Sequence, residues 1–182
     1  MWSIAGSLTV YPVADRTDLL GGPVAKAFAG LAAVDRCGVA EIDPDLADTA
    51  AFCEAYGSPL AASANCVVVA GKREGELRYA ACVVLATTRA DVNNVVRRRL
   101  DVRKASFAPM DDAVALTGMA YGGITPFGLP DGWLLLVDAA VAAAPELIVG
   151  SGVRGSKVLT PGDVLAALPG AEVVEGLGRP VG

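Results

Sequence analysis

The chain has 182 residues, 15 lysines and arginines against 20 aspartates and glutamates, four cysteines and no histidine. Without histidine, a Ser-His-Asp triad, a Cys-His pair and an imidazole-ligated metal are excluded. The length suits one domain with one sizeable core, and no apolar run reaches the roughly 18 residues a membrane span needs.

Apolar residues make up 53% of the chain and mean hydropathy is +0.48, but the richest stretch, 134–149, is broken by Asp138, Pro145 and Glu146. The first residues lack a basic region followed by an apolar core, so a cytoplasmic location is expected.

In chain order, Ser7–Tyr11 reads as a strand. A helical stretch from about Asp18 to Ala33 follows, interrupted at Gly21-Gly22-Pro23, where Pro23 suits a first turn better than a helix interior. Val39–Asp43 alternates as a second strand. Asp45 or Asp48 can cap a helix that runs to about Tyr56 and stops at Gly57-Ser58-Pro59. Asn65–Ala70 and Glu76–Thr87 then form an antiparallel hairpin around the charged, glycine-bracketed turn 71–75. Both strands are apolar on both faces, which predicts a central, covered position.

A helix over Asp91–Leu100 comes next, then another within Ser106–Gly118 that carries Asp111 and Asp112 in its first turn, where they complement the dipole. Residues 118–132 are loop-rich. Leu134–Val137 and Leu147–Val149 read as strands, Thr160–Asp163 opens a last helix to about Leu168, and Val173-Val174 adds an edge strand. The Gly- and Pro-containing end after Gly176 is expected to be loose. Intermixed strands and helices with an antiparallel pair favour an α+β fold built on a mixed, largely antiparallel sheet.

Cys37, Cys53, Cys66 and Cys82 show no metal-type spacing and read as buried, inert thiols. The acidic pairs Asp43/Asp45 and Asp111/Asp112 sit at helix starts, where capping accounts for them, so neither metal nor cofactor is expected. Arg97, Arg98, Arg99, Arg103 and Lys104 form a local basic patch. With Asp101 the segment carries +4 and leaves −9 on the rest of the molecule. Such a patch can engage phosphates within a Debye length of about 8–10 Å, or it can be a solvated helix end whose cations meet the C-terminal dipole.

Two glycine loops are the most informative segments. In Thr117-Gly118-Met119-Ala120-Tyr121-Gly122-Gly123-Ile124-Thr125-Pro126-Phe127-Gly128 the glycines allow main-chain amides to approach a ligand while Pro126 stiffens the loop. The segment matches neither GxxxxGK[ST] nor GxGxxG, and a purely structural crossover would look the same. In Val149–Lys157, Arg154 and Lys157 flank several amides and suit a phosphate or carboxylate clamp. A glycine-rich hairpin turn is the other reading.

Together these residues resemble the YbaK/EbsC family of aminoacyl-tRNA deacylases, which includes the editing domain inserted in bacterial prolyl-tRNA synthetases. TGMAYGGITPFGLP is similar to the family's TGy-x-x-GG-x-x-P-fG signature, with Gly122 to Pro126 on its G-x-x-x-P element. LLLVDAAVAAAPELIVGSGVRGSKVLTPGDVLAAL is similar to its strand, Asp, helix, strand, G-x-RG and closing helix, matching Asp138, Gly152, Arg154 and Gly155. YGSPLAASANCVVV resembles its G-x-P turn and first central strand. The resemblance covers about Asp48–Leu168. It implies one domain over 1–182, with 1–45 an N-terminal elaboration, 48–168 the family core and 176–182 a loose tail, its mixed sheet curled into a partial barrel with flanking helices.

What the resemblance implies for function is hydrolysis, in trans, of a mischarged aminoacyl-tRNA. Water is the nucleophile and no cofactor is required. The partners would be the aminoacylated 3′ end of tRNA and an aminoacyl-tRNA synthetase. Asn65, Gly122 and Gly123 become the catalytic candidates. Tyr121, Thr125, Pro126, Gly152, Arg154, Gly155 and Lys157 become the substrate contacts, and Arg97, Arg98, Arg99, Arg103 and Lys104 the contacts to the nucleic-acid backbone.

Counted from Gly57-x-Pro59, the family's lysine falls on Asn65, which offers a donor and an acceptor but no charge. Lys157 lies where many relatives carry an acidic or apolar residue. Either Lys157, with Arg154, supplies the missing cation from the opposite loop, or the chain has lost the reaction and binds tRNA ends, nucleotides or small metabolites.

Overall fold

The computed structural model describes residues 1–181. Its elements run β1 (Val10–Pro12), α1 (Gly22–Ala29), β2 (Gly38–Glu41), α2 (Thr49–Tyr56), β3 (Ala64–Arg73), β4 (Glu76–Leu85), β5 (Thr88–Ala90), α3 (Arg97–Leu100), β6 (Ala105–Phe107), α4 (Met110–Thr117), β7 (Leu134–Asp138), α5 (Ala139–Ala142), β8 (Leu147–Gly150), β9 (Ser156–Thr160), α6 (Gly162–Ala166), β10 (Ala171–Val174) and β11 (Gly178–Pro180).

Local chemistry sets the boundaries. Pro23 lies in the first turn of α1, where its missing N–H costs nothing. α2 and α4 both stop at a left-handed glycine, Gly57 at φ +70° and Gly118 at φ +68°, the usual C-terminal stop. The β3–β4 hairpin closes on Glu74 and Gly75, both at positive φ, so the turn is two residues long and the strands run further into 71–75 than their composition suggests.

The strands form a four-stranded sheet in the order β1-β2-β9-β8, a five-stranded sheet in the order β10-β7-β4-β3-β6, and a β11-β5 pair. Most pairs are antiparallel; β7 pairs in parallel with both β4 and β10. The fold is α+β and mixed, as expected, but the sheets do not close into a barrel. They face one another across the main core, in which Val39, Val149 and Val158 of one meet Ala81, Val83, Leu135 and Val137 of the other, with Phe28 and Phe127 between them. A second cluster, including Phe52, Ile148 and Leu159, covers the far side of the four-stranded sheet, and a third, including Val96, Leu100 and Val102, covers the far side of the five-stranded sheet. Both sheets are thereby covered on two faces, which is why their strands lack a clean apolar–polar alternation.

The first 45 residues, expected as an N-terminal elaboration, pack into the main core through Val13, Val24, Phe28 and Val39. Three local expectations change. Residues 91–100 form a π-helical turn, Val92–Val96, before the single turn of α3. The 149–157 loop is shorter than predicted because β9 begins at Ser156, and all five β9 residues are buried. The segment after Gly176 is not loose as far as Pro180, since β11 pairs with β5, Leu177 is fully buried and Arg179 meets Asp91 at 2.8 Å. Gly182 lies outside the described residues.

The two main sheets touch where Ser63 bridges Ile148 in parallel, and from there β3 and β8 diverge. β6 covers β3 only along Val69–Gly71. The Ser63 carbonyl accepts from Ala86 toward β4, and the Val68 carbonyl accepts from Ala108 on the other edge. Strand alternation then turns the main-chain groups of Ala64 and Cys66 toward the gap.

Candidate active site

The gap between β3 and β8 is a cavity of about 260 Å³, closed by the start of α2 and by the loop after α4. Asn65 comes from the head of β3, Tyr121 and Gly122 from the glycine loop, and Lys157 from β9; all four line it. Arg154 stands at its mouth. Residues 92 positions apart in sequence thus share one wall because β3, β8 and β9 converge beneath α2.

Asn65 has a fixed orientation. Thr49 Oγ1 donates to Asn65 Oδ1 at 2.9 Å, which occupies the amide oxygen and leaves the two Nδ2 hydrogens as donors. Lys157 is only 7% exposed, and its Nζ donates to the Ala47 carbonyl at 2.7 Å, above the Phe52 ring at 5.4 Å. Burial pulls its pKa down to about 8, against the opposing influence of Asp48 and Cys53. Two ammonium hydrogens remain for a ligand.

Arg154 binds main chain on both sides: its Nε donates to the Pro44 carbonyl at 3.1 Å and its Nη1 to the Tyr121 carbonyl at 3.2 Å. The guanidinium also lies 3.6 Å from Asp48 Oδ1 and over the Tyr121 ring at 5.8 Å. Asp48 occupies the N-cap position of α2 but makes no capping hydrogen bond; its carboxylate faces Arg154 instead. Gly122, at φ +79°, leaves the space that Arg154 Nη1 fills, so any side chain there would collide with it.

The two glycine loops pack main chain to main chain. Gly152 N–H donates to Gly123 O at 2.7 Å and Ala120 N–H to Gly152 O at 2.9 Å. A Cβ on Gly123 would stand 2.7 Å from Val153 O, and one on Gly150 would stand 2.7 Å from Gly123 O. The loops are therefore structural at Gly123, Gly150 and Gly152 and open to the cavity at Tyr121 and Gly122.

The other candidates fall elsewhere. The Gly123 N–H donates to Ala120 O at 2.8 Å and is already occupied. Thr125 is fully buried, and its hydroxyl has no partner among the described residues. Pro126 lines a separate apolar groove with Leu31 and Trp133, and Gly155 O accepts from Ile42 at 2.9 Å. The basic segment lies at the far end of β3, where Val102 and the Lys104 carbonyl crowd Gly71. At about 3.4 Å per residue this is roughly 20 Å from Asn65.

Sequence reasoning missed Thr49, Asp48 and Phe52 as cavity residues. Asp48 and Thr49 were visible only as a helix start, and nothing in their spacing points to Asn65. Cys66 also lines the cavity, where burial pushes its thiol up, and burial raises Cys82 to about 12. Neither is a reactive thiolate. Among the described residues no group of His, Cys, Asp or Glu could hold a metal.

The model of the aminoacyl-tRNA editing domain matches residues 43–168. The chain belongs to this family. The match takes in every cavity residue and both glycine loops. No curated protein matches. Among solved structures, a candidate trans-editing enzyme for prolyl tRNA synthetase superposes with a TM-score of 0.72 at 21% identity, over 86% of this chain and 95% of that one. An epitope-scaffold design gives 0.72 at 21%, over 87% and 97%. The hypothetical protein APE2540 gives 0.64 at 20%, over 73% and 85%. At these identities the neighbours speak for the fold. Among the described residues no helix is long and apolar enough to cross a membrane.

Proposed function

We propose that this editing domain is a hydrolase that acts in trans to remove a wrongly attached amino acid from tRNA in the cytoplasm, with the terminal ester seated in the β3–β8 cavity. The observation that carries the reading is the convergence of Asn65, Gly122 and Lys157 on one cavity, with Arg154 at its mouth. Water adds to the ester carbonyl carbon, the bond to the ribose oxygen breaks, and that oxygen leaves with a proton originating from the water.

The developing oxyanion needs preorganised donors. Asn65 Nδ2 supplies them, with its oxygen held by Thr49. Among the described residues no backbone acceptor is found for the Gly122 N–H, which makes it the second donor. Lys157 and Arg154 provide the positive charge that Asn65 lacks, Lys157 toward the ester or the terminal phosphate and Arg154 at the mouth. Both are held by main-chain carbonyls, so they need little reorganisation. The fixed Asn65 oxygen also means that Asn65 binds the substrate's acceptor atoms and does not accept a proton from the attacking water.

The test is a panel of mischarged tRNAs offered to the wild type and to Asn65→Lys. Hydrolysis by the wild type of at least one member supports the reading. A wild type inert to the whole panel, with activity appearing in Asn65→Lys, overturns it in favour of a protein that binds tRNA ends without cleaving them.

A further inference from the structure

Asp48 is the one carboxylate among the described residues that line the β3–β8 cavity, and it stands between the two cations of the site. Its Oδ1 lies 3.6 Å from Arg154 Nη1; burial lowers the pKa of Lys157, and the charge of Asp48 is the strongest influence opposing that fall. An aspartate at a helix start ordinarily accepts an N–H of the first turn, but the Asp48 side chain makes no such bond to α2. Arg154 does not absorb it either, because its Nε and Nη1 are given to the Pro44 and Tyr121 carbonyls. The side chain is 68% exposed, so one carboxylate oxygen remains open to a ligand at the mouth. A plain anion such as phosphate would be drawn to Lys157 and Arg154 and repelled by Asp48. A ligand that carries an ammonium a few atoms from its oxygen-rich end satisfies all three.

We propose that Asp48 is the specificity contact for the free α-ammonium group of the aminoacyl ester, which confines the site to esters of unblocked amino acids. A Cβ on Gly122 would stand 3.6 Å from Asp48 Oδ1, so the carboxylate borders the residue whose N–H is the second donor to the ester oxygen. The α-nitrogen of an aminoacyl ester is two bonds from the carbonyl carbon and is carried with it to that border. There it pairs with the oxygen that Arg154 leaves free, and the carboxylate bridges guanidinium and ammonium. N-acylation removes the charge and adds bulk at the same point. Hydrolysis parts the ammonium from the nucleotide, so neither product keeps both sets of contacts that held the substrate. The inference rests on the proposed function in taking the cavity to receive an aminoacyl end.

The experiment measures binding rather than turnover, with analogues in which an amide replaces the labile ester: 3′-glycylamino-3′-deoxyadenosine, which carries the ammonium, 3′-acetylamino-3′-deoxyadenosine, which lacks it, and the N-acetylglycyl analogue, in which it is blocked. The wild type should favour the glycyl over the acetyl analogue by about fivefold, the upper range for an ion pair open to solvent, and should bind the N-acetylglycyl analogue no better than the acetyl one. In Asp48→Asn, which keeps the size of the side chain and its fitness for a helix start, the ratio should drop to about one. A ratio near one in the wild type, or a preference that persists in Asp48→Asn, overturns the subsite and leaves the hydrolase reading to its own tRNA panel. Failure of all three analogues to bind removes the aminoacyl end from the cavity and overturns both.

Discussion

The two ends of the central hairpin hold positive charge in opposite ways. At the cavity end Lys157 is buried and both it and Arg154 are bound to main-chain carbonyls. At the other end Arg98, Arg99, Arg103 and Lys104 stand in solvent. A desolvated cation acts at one point, strongly, and its charge depends on pH; exposed cations act diffusely and are screened by salt. The first arrangement suits an ester or a single phosphate at a fixed position, the second the long backbone of a nucleic acid. Net charge alone, at −5, conceals both.

The largest expected effect comes from the packing beneath the cavity. Gly123→Ala puts a methyl 2.7 Å from Val153 O and forces the two loops apart. Unfolding in urea should show a loss of about 2–3 kcal/mol, in the upper range for a single substitution, and the cavity should lose its substrate. A variant as stable as the wild type would mean that the loops are not locked together.

A smaller effect should separate positioning from folding. Thr49→Val removes the hydroxyl that holds Asn65, and the turnover of a hydrolysed substrate should fall about tenfold, the equivalent of about 1.4 kcal/mol for one hydrogen bond. Thr49→Ser keeps the hydroxyl and should restore the rate. Equal loss in both variants would show that the threonine methyl matters rather than its hydrogen bond.

Next is the pH dependence of the buried lysine. With its pKa lowered to about 8, Lys157 carries its charge below that value and loses it above. Affinity for adenosine 5′-monophosphate, taken as a probe of the terminal nucleotide, should therefore fall severalfold between pH 7 and pH 9. Lys157→Arg should flatten the profile, because a guanidinium does not titrate there. A profile unchanged by that substitution would assign the titration to another group.

The smallest effect belongs to the solvent-exposed end. Arg98→Glu should change stability by no more than about 0.5 kcal/mol, as surface substitutions do. It should nevertheless raise the KM for a full-length tRNA substrate severalfold at low salt, while leaving cleavage of a short 3′-terminal aminoacyl fragment unchanged. Equal losses on both substrates would erase the contrast between the two ends.

Much of this was legible in the sequence, for definite reasons. Gly57 and Gly118 announced their helix ends, and the β-branched runs around 71–75 announced the hairpin. β9 was missed because Ser156, Lys157 and Thr160 make it look polar. The structure buries all three, and the Ser156 hydroxyl donates to the Leu19 carbonyl at 2.6 Å. The site was half legible. Gly122 and Lys157 stood out in the two glycine loops and Asn65 through the family resemblance alone, whereas Thr49 did not, since it meets Asn65 only when the turn after α2 folds back. Gly123 and Thr125 looked equally suited to a ligand, but Gly123 gives its N–H to the loop itself and Thr125 is buried beneath it.

The most direct test of the account is single-turnover hydrolysis of a mischarged tRNA by wild type and by Lys157→Ala, with thermal unfolding confirming that the variant is folded. The cavity reading predicts a rate at least 100-fold lower in the variant, the scale of losing one preorganised donor at an oxyanion. A folded Lys157→Ala that cleaves at the wild-type rate would contradict it.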